Sequence, residues 1–195
     1  MWKIKYLSAL FMMISLSVQA QLTISLEEAQ AYLRTPDGIP EDVTYVKDVN
    51  NILPKFVGIW KGTADGKIVE LHLNKFLHLP SSADGFKIDL LAGRLLIKDQ
   101  VTGAILYNTL NISDDEETWL EGSYPINGSY VMHFENKNDT YCMDGGEVYI
   151  SVNNTTLTNM TFNFYRTQDI YVEGKCPNFE TYVPILPKRI QLVKQ

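Results

Sequence analysis

The 195 residues contain three histidines, two cysteines and 23 acidic side chains with which chemistry could be done. A metal centre needs two histidines at helical or hairpin proximity plus a carboxylate or thiolate. His72 and His78 stand six apart with Pro80 close behind, His133 is remote, and no H-E-x-x-H spacing occurs. His72 alternates with apolar residues and is expected on a wet strand face. Nucleophilic catalysis would need a G-x-S-x-G elbow, which the sequence lacks. Gly122-Ser123 and Gly128-Ser129 read as turn residues instead. Asp114-Asp115-Glu116-Glu117 has the oxygen ligands Ca²⁺ takes, but neither the alternation nor the bend glycine of a defined loop. It reads as a solvated loop. Asp144-Gly145-Gly146 precedes a strand rather than a helix, so it reads as a turn and not a phosphate cradle. Paired carboxylates for glycoside chemistry are set in space rather than in sequence and stay open. No catalytic residue, metal site or cofactor is therefore assigned, and a non-enzymatic protein is the expectation.

Cys142 and Cys176 are the two cysteines. Both lie in the part of the chain expected to be exported, where thiols pair, and no C-x-x-C spacing suggests a reactive couple. A structural disulfide is expected, and closing a loop of about 34 residues stabilises by roughly 3–4 kcal/mol in the chain-entropy model.

Export is read from the N-terminus. Lys3 and Lys5 supply a positive start, and Tyr6 to Val18 is an apolar run broken by Ser8, Ser15 and Ser17. Val18-Gln19-Ala20 offers small residues for cleavage after Ala20. The apolar run is shorter than the roughly 17–25 residues a membrane-spanning helix needs. Residues 1–20 thus read as a signal peptide, and the mature protein as periplasmic or secreted, with no transmembrane segment. Its loss removes two lysines and moves the net charge from −6 to −8. Nucleic acid needs clustered Lys and Arg, and here the densest cluster is Lys188-Arg189. Nucleic acid is excluded as a partner. Six Asn-x-Ser/Thr sequons, at Asn111, Asn127, Asn138, Asn153, Asn154 and Asn159, are attributed to turns and wet strand faces, which use the same residues.

The elements follow from spacing. Residues 21–55 form an N-terminal helix and connector. The helix spans 22–35, with Ser25 as N-cap, Glu28 completing a capping box, and Leu26, Ala29, Tyr32 and Leu33 on one face. A short helical turn is expected within Asp48 to Pro54. Residues 56–195 then change to strands and tight turns. Phe56 to Gly62 leads into Asp65-Gly66, a type I′ hairpin signal. Val69, Leu71 and Leu73 alternate with Glu70, His72 and Asn74. A long strand over Phe86 to Lys98 carries a bulge near Ala92-Gly93, and Ala104 to Leu110 returns. Tyr130 to Glu135, Gly146 to Val152, Thr156 to Tyr165 and Arg189 to Lys194 complete the set. Ser81 to Gly85, Asn136 to Gly145 and most of Gln168 to Pro187 are loops. About eight strands with short connections predict a mainly β domain, an antiparallel barrel or sandwich.

Gly58-Ile59-Trp60, on the first barrel strand after a helical turn, resembles the opening motif of lipocalin-like barrels. The resemblance implies an up-and-down β-barrel with Trp60 at its closed end and an Arg near the last strand packed over it; Arg189 stands in that position. The T-D-Y turn of secreted lipocalins has no counterpart here. The longer run Tyr45 to Gly62, the Ala20-Gln21 junction and Leu186-Pro187-Lys188-Arg189-Ile190 resemble a family of small exported proteins from Bacteroidota, flavobacteria especially, itself of unknown function. This likeness implies source, export and barrel, and carries no site. Three functions remain in order: binding a small apolar or amphipathic ligand inside the barrel, a packed structural or protein-interaction module of the cell envelope, and a hydrolase. An empty interior favours the first; a filled interior with an apolar patch outside favours the second.

Overall fold

The computed structural model describes residues 22–81, 85–113, 120–136, 144–167, 176 and 181–195. Residues 1–20, where a signal peptide is expected, the acidic run 114–117, Asn138 and Cys142 lie outside the described residues. No described helix is long and apolar enough to cross a membrane.

The chain opens with β1 (Leu22–Ser25), α1 (Leu26–Tyr32) and β2 (Val43–Lys47). The capping box forms as its residues predict: the Ser25 hydroxyl accepts from the Glu28 N–H at 3.1 Å, and the Glu28 carboxylate accepts from the Ser25 N–H at 2.7 Å. The helix is shorter than expected because Ser25 is extended, as an N-cap must be. Residues 22–25 therefore pair in parallel with β2. A single 3₁₀ turn at Pro54–Phe56 follows.

Eight strands then close a ring: β3 (Gly58–Ala64), β4 (Lys67–Pro80), β5 (Lys87–Asp99), β7 (Leu120–Ile126), β8 (Ser129–Glu135), β9 (Gly145–Val152), β10 (Asn159–Arg166) and β11 (Arg189–Lys194). Each pairs antiparallel with the next, β5 meets β7 at Ala92 and Glu121, and β11 returns to β3. This is an up-and-down antiparallel barrel with one short helix, as the alternation predicts. Asp65 and Gly66 both hold positive φ, the type I′ turn expected between β3 and β4.

Two features differ from expectation. The strand at Ala104 to Leu110 is β6 (Ile105–Asn108), which pairs with β5 outside the ring. Its place in the barrel is taken by β7, whose Gly122 and Ser123 had the look of a turn. A Cβ at Gly122 would strike the Tyr130 hydroxyl, so this strand needs glycine for close packing. The bulge also moves. Register runs unbroken through Ala92 and Gly93 and slips on β4 between Phe76 and Leu79, where His78 has φ 57°. Gly93 is instead small because the Leu120 side chain lies over it.

The core is the barrel interior. Trp60, Leu71, Ile97, Met132, Ile150, Phe162 and Leu192, one from each of seven barrel strands, have 0 % exposure, and Leu120 of the eighth has 2 %. One end is plugged by residues 48–57. Leu53 and Phe56 point into the core, and the Phe56 carbonyl accepts the Trp60 indole N–H at 2.7 Å. Asp48 organises the plug: its carboxylate accepts from the N–H groups of Ile52 and Leu53 and from Lys75 Nζ at 2.7 Å. Asp89 ties it to the wall, accepting from the Tyr45 hydroxyl at 2.6 Å and from the N–H groups of Asp48 and His78.

Candidate functional site at the barrel mouth

A cavity wide enough for one water leaves accessible area on the side chains around it. The zero exposure of inward residues from strand after strand means that the described interior is filled by side chains. Aromatic contacts complete the packing, with Phe134 edge-on to Tyr107 and to Phe164 at 5.9 and 5.8 Å between centroids.

The candidate residues of the sequence are spread over this scaffold. His72 lies on the outer face of β4, its Nε2 2.6 Å from Glu70 Oε1, while Lys61 reaches the other Glu70 oxygen at 2.9 Å. His78 stacks on Tyr45 at 4.2 Å, and His133 is exposed on β8 opposite Glu147. Among the described residues, no three His, Cys, Asp or Glu side chains gather within metal-binding range. Cys176 is buried. Gly58 has φ 133°, and the Lys194 side chain passes where a Cβ would stand, so both backbone and space favour glycine there. The cation seated over the Trp60 ring is Lys194, at 5.1 Å. Arg189 lies five residues away along β11, opposite Asn163, which at about 3.3 Å per residue puts it toward the other barrel end. Lys194 rather than Arg189 meets Trp60, because β11 pairs with Trp60 through its last residue.

Concavities open on the outside. A groove of about 400 Å³ runs between α1, β2 and the β5–β7 seam, where a single residue pair joins the two strands. A second, of about 310 Å³, lies by the plug and mixes Glu27 with Arg34 and Lys55. The largest of the three, about 460 Å³, lies at the unplugged end, the mouth, between the β3–β4 turn, the end of β10 and residues 183–188.

At the mouth the chain before β11 is held across the barrel by buried polar groups. Leu186 is seated in the core, in the same cluster as Tyr107. Lys67 Nζ donates to the carbonyls of Pro184 and Ile185 at 2.6 and 3.1 Å. Asp144, 1 % exposed, accepts from the Ile185 N–H at 2.8 Å and from the Asn136 amide at 3.3 Å. Its Oδ1 has no hydrogen-bond partner among the described residues. Burial holds the Lys67 ammonium below the ordinary lysine range, with Asp144 and Asp65 opposing that effect. Burial, with the Asp144 charge adding to it, pushes the Tyr107 hydroxyl up to about 12. Lys67, Arg166 and Lys188 line the cleft with Phe164, Val183 and Leu186. The Arg166 guanidinium lies 4.8 Å from the centre of the Tyr182 ring. Sequence reading passed over these three cations because they are up to 121 positions apart and only the strand ends bring them together.

No curated protein and no solved structure matches this chain. A family model described as a family of unknown function, DUF6705, matches residues 1–193. The chain, which folds as a closed eight-stranded barrel with a short helix, belongs to that family.

Proposed function

We propose that the protein is exported after loss of residues 1–20 and acts without catalysis, through its outer surface, as a packed interaction module of the cell envelope. The carrying observation is the filled interior, since a ligand inside would require the aromatic and aliphatic side chains there to leave. Export is supported by Lys3 and Lys5, the apolar run to Val18 and the small residues before Gln21. Apolar side chains on the outside support the surface reading: Val101, Ile105 and Leu106 are exposed together on the β5–β6 hairpin. Asp48 and Asp89, the most buried carboxylate pair at the plug, have their oxygens occupied by backbone and side-chain donors, which is a structural use.

The test is native mass spectrometry of protein taken from its own compartment, with cross-linking before lysis. We expect a polypeptide that begins at Gln21, without an occluded small molecule, and a cross-linked protein partner that is lost when Val101 and Ile105 become Ser. A small molecule released only on unfolding would overturn the packed-module reading and restore a ligand within the barrel.

A further inference from the structure

We propose that the outer face of β8, β9 and β10 holds a site for a side-chain cation, the guanidinium of an arginine or the ammonium of a lysine presented by a partner protein. Register builds it. Glu147 of β9 stands between His133 of β8 and Tyr165 of β10. Tyr149, two residues on along the same face, stands between Val131 and Asn163.

The Tyr149 and Tyr165 rings meet edge to face, at 84° with centroids 5.3 Å apart, and so form a corner. Glu147 closes its third side, because the Tyr149 hydroxyl donates to Glu147 Oε2 at 2.7 Å. That bond is the main reason why the Tyr149 hydroxyl is pushed up to about 12, and it stays a donor at neutral pH. No donor among the described residues takes the other Glu147 oxygen. Tyr165 is 57 % exposed, which leaves part of its ring free to meet a partner. Val131 also points outward, yet it is 1 % exposed, with Tyr124 and Tyr149 on either side of it. The ground beside the corner is therefore packed before any partner arrives, and such preorganisation lowers the cost of binding.

The corner selects by charge. An aromatic ring presents a negative face that attracts a cation within about 6 Å of its centre, and the carboxylate beside it adds to the attraction. An anion is repelled by both. A neutral apolar group would cover Glu147 without replacing its hydrogen bonds to water. None of the outward-facing residues of β8, β9 and β10 is Lys or Arg, and Arg189 of β11 lies beyond Asn163, two strands from Tyr149. The formal net charge of −6 draws a basic partner toward the molecule from a distance. Glu147 and Tyr149 line none of the three grooves described above, and small-molecule sites are concave. An open sheet face suits a side chain whose own protein covers the surroundings.

The site deepens the surface-acting reading and rests on it. The experiment titrates the mature full chain with N-acetyl-arginine amide, with its uncharged citrulline counterpart and with tetramethylammonium, following backbone amides by NMR. The arginine amide should give saturable shifts centred on Glu147, Tyr149 and Tyr165, and the citrulline amide none. Glu147→Gln and Tyr165→Leu should each weaken binding about threefold or more, whereas Tyr165→Phe, which keeps the ring, should stay within about twofold. If the two amides act alike, or if Glu147→Gln and Tyr165→Leu leave the affinity unchanged, the cation site is overturned. Tetramethylammonium binding more tightly than the arginine amide would overturn the partner side chain in favour of a small quaternary cation. Cross-linking decides surface action separately, since its Val101 and Ile105 variants lie on the β5–β6 hairpin, which pairs with none of β8, β9 and β10.

Discussion

Glu70 shows how a single residue links sequence, structure and solution behaviour. The alternation of β4 places it outside, with His72 two residues on along the same face. Register then sets Lys61 of β3 directly opposite. The hydrogen bond with His72, followed by that from Lys61, holds the Glu70 carboxyl below its ordinary value of 4.5. A carboxylate whose pKa is lower in the folded chain stabilises it above the unfolded pKa, and that contribution is lost as pH falls through the folded value. Glu70→Gln should therefore lie below the parent in denaturant midpoint at pH 7, by a small margin because the pair is partly solvated. The gap should close as pH falls below the folded-state value of Glu70, under the ordinary carboxyl range, and shrink in high salt. Equal midpoints at pH 7 and low ionic strength would remove the network from the account. The wet face of His72 and Glu70 was legible from period two. Their cluster with Lys61 was not, because cross-strand register depends on turn length.

Among the elements, the ring closes through two short contacts, β5 to β7 and β11 to β3. In the second, Val193 and Lys194 pair with Lys61 and Trp60, and Gly62 stands beside the Gln191 carbonyl. A methyl group there meets backbone, which cannot rotate away. Gly62→Ala should cost about 1–3 kcal/mol as a small-to-large change in a packed site. It should also raise amide exchange along β11 more than along β9, and uniform exchange would place the strain elsewhere. The β7 edge is protected in a way that explains why it escaped notice. Asn127 and Gly128 make a two-residue turn with positive φ at both, so Ile126 and Ser129 form its hydrogen-bonded pair. The next pair, Pro125 with Tyr130, is then a non-bonded one, and the missing N–H of Pro125 falls on the open side. Leu120-Glu121-Gly122-Ser123-Tyr124-Pro125-Ile126 looks like a loop because glycine and proline serve packing and edge protection here.

For the molecule as a whole, a cross-link between the two cysteines would bear on stability. Cys176 is buried, and we propose Cys142 as its partner. Oxidised mature protein should then weigh about 2 Da less than the reduced chain, and reduction should cost about 3–4 kcal/mol. Denaturant midpoints with and without reductant, beside the Cys142→Ser, Cys176→Ser double variant, measure this directly. Midpoints that reductant leaves unchanged would exclude the cross-link.

Sequence by itself determined the local features. The capping box at Ser25 and Glu28, the type I′ turn at Asp65-Gly66, the alternation of Val69, Leu71 and Leu73, and the bounds of Arg189–Lys194 all follow from neighbours a few residues apart. The mainly β class and the antiparallel meander follow from the same short-range signals. Tertiary structure alone decided the rest: that β7 rather than β6 completes the ring, that residues 48–57 plug one end, that the described interior is filled, and that Lys194 rather than Arg189 covers Trp60. It also gathered Lys67, Arg166 and Lys188 at one mouth. The physical reason is common to all of these. Closure, packing density and charge grouping depend on which strand ends meet in space, and period, propensity and capping chemistry act only over a turn or two of chain.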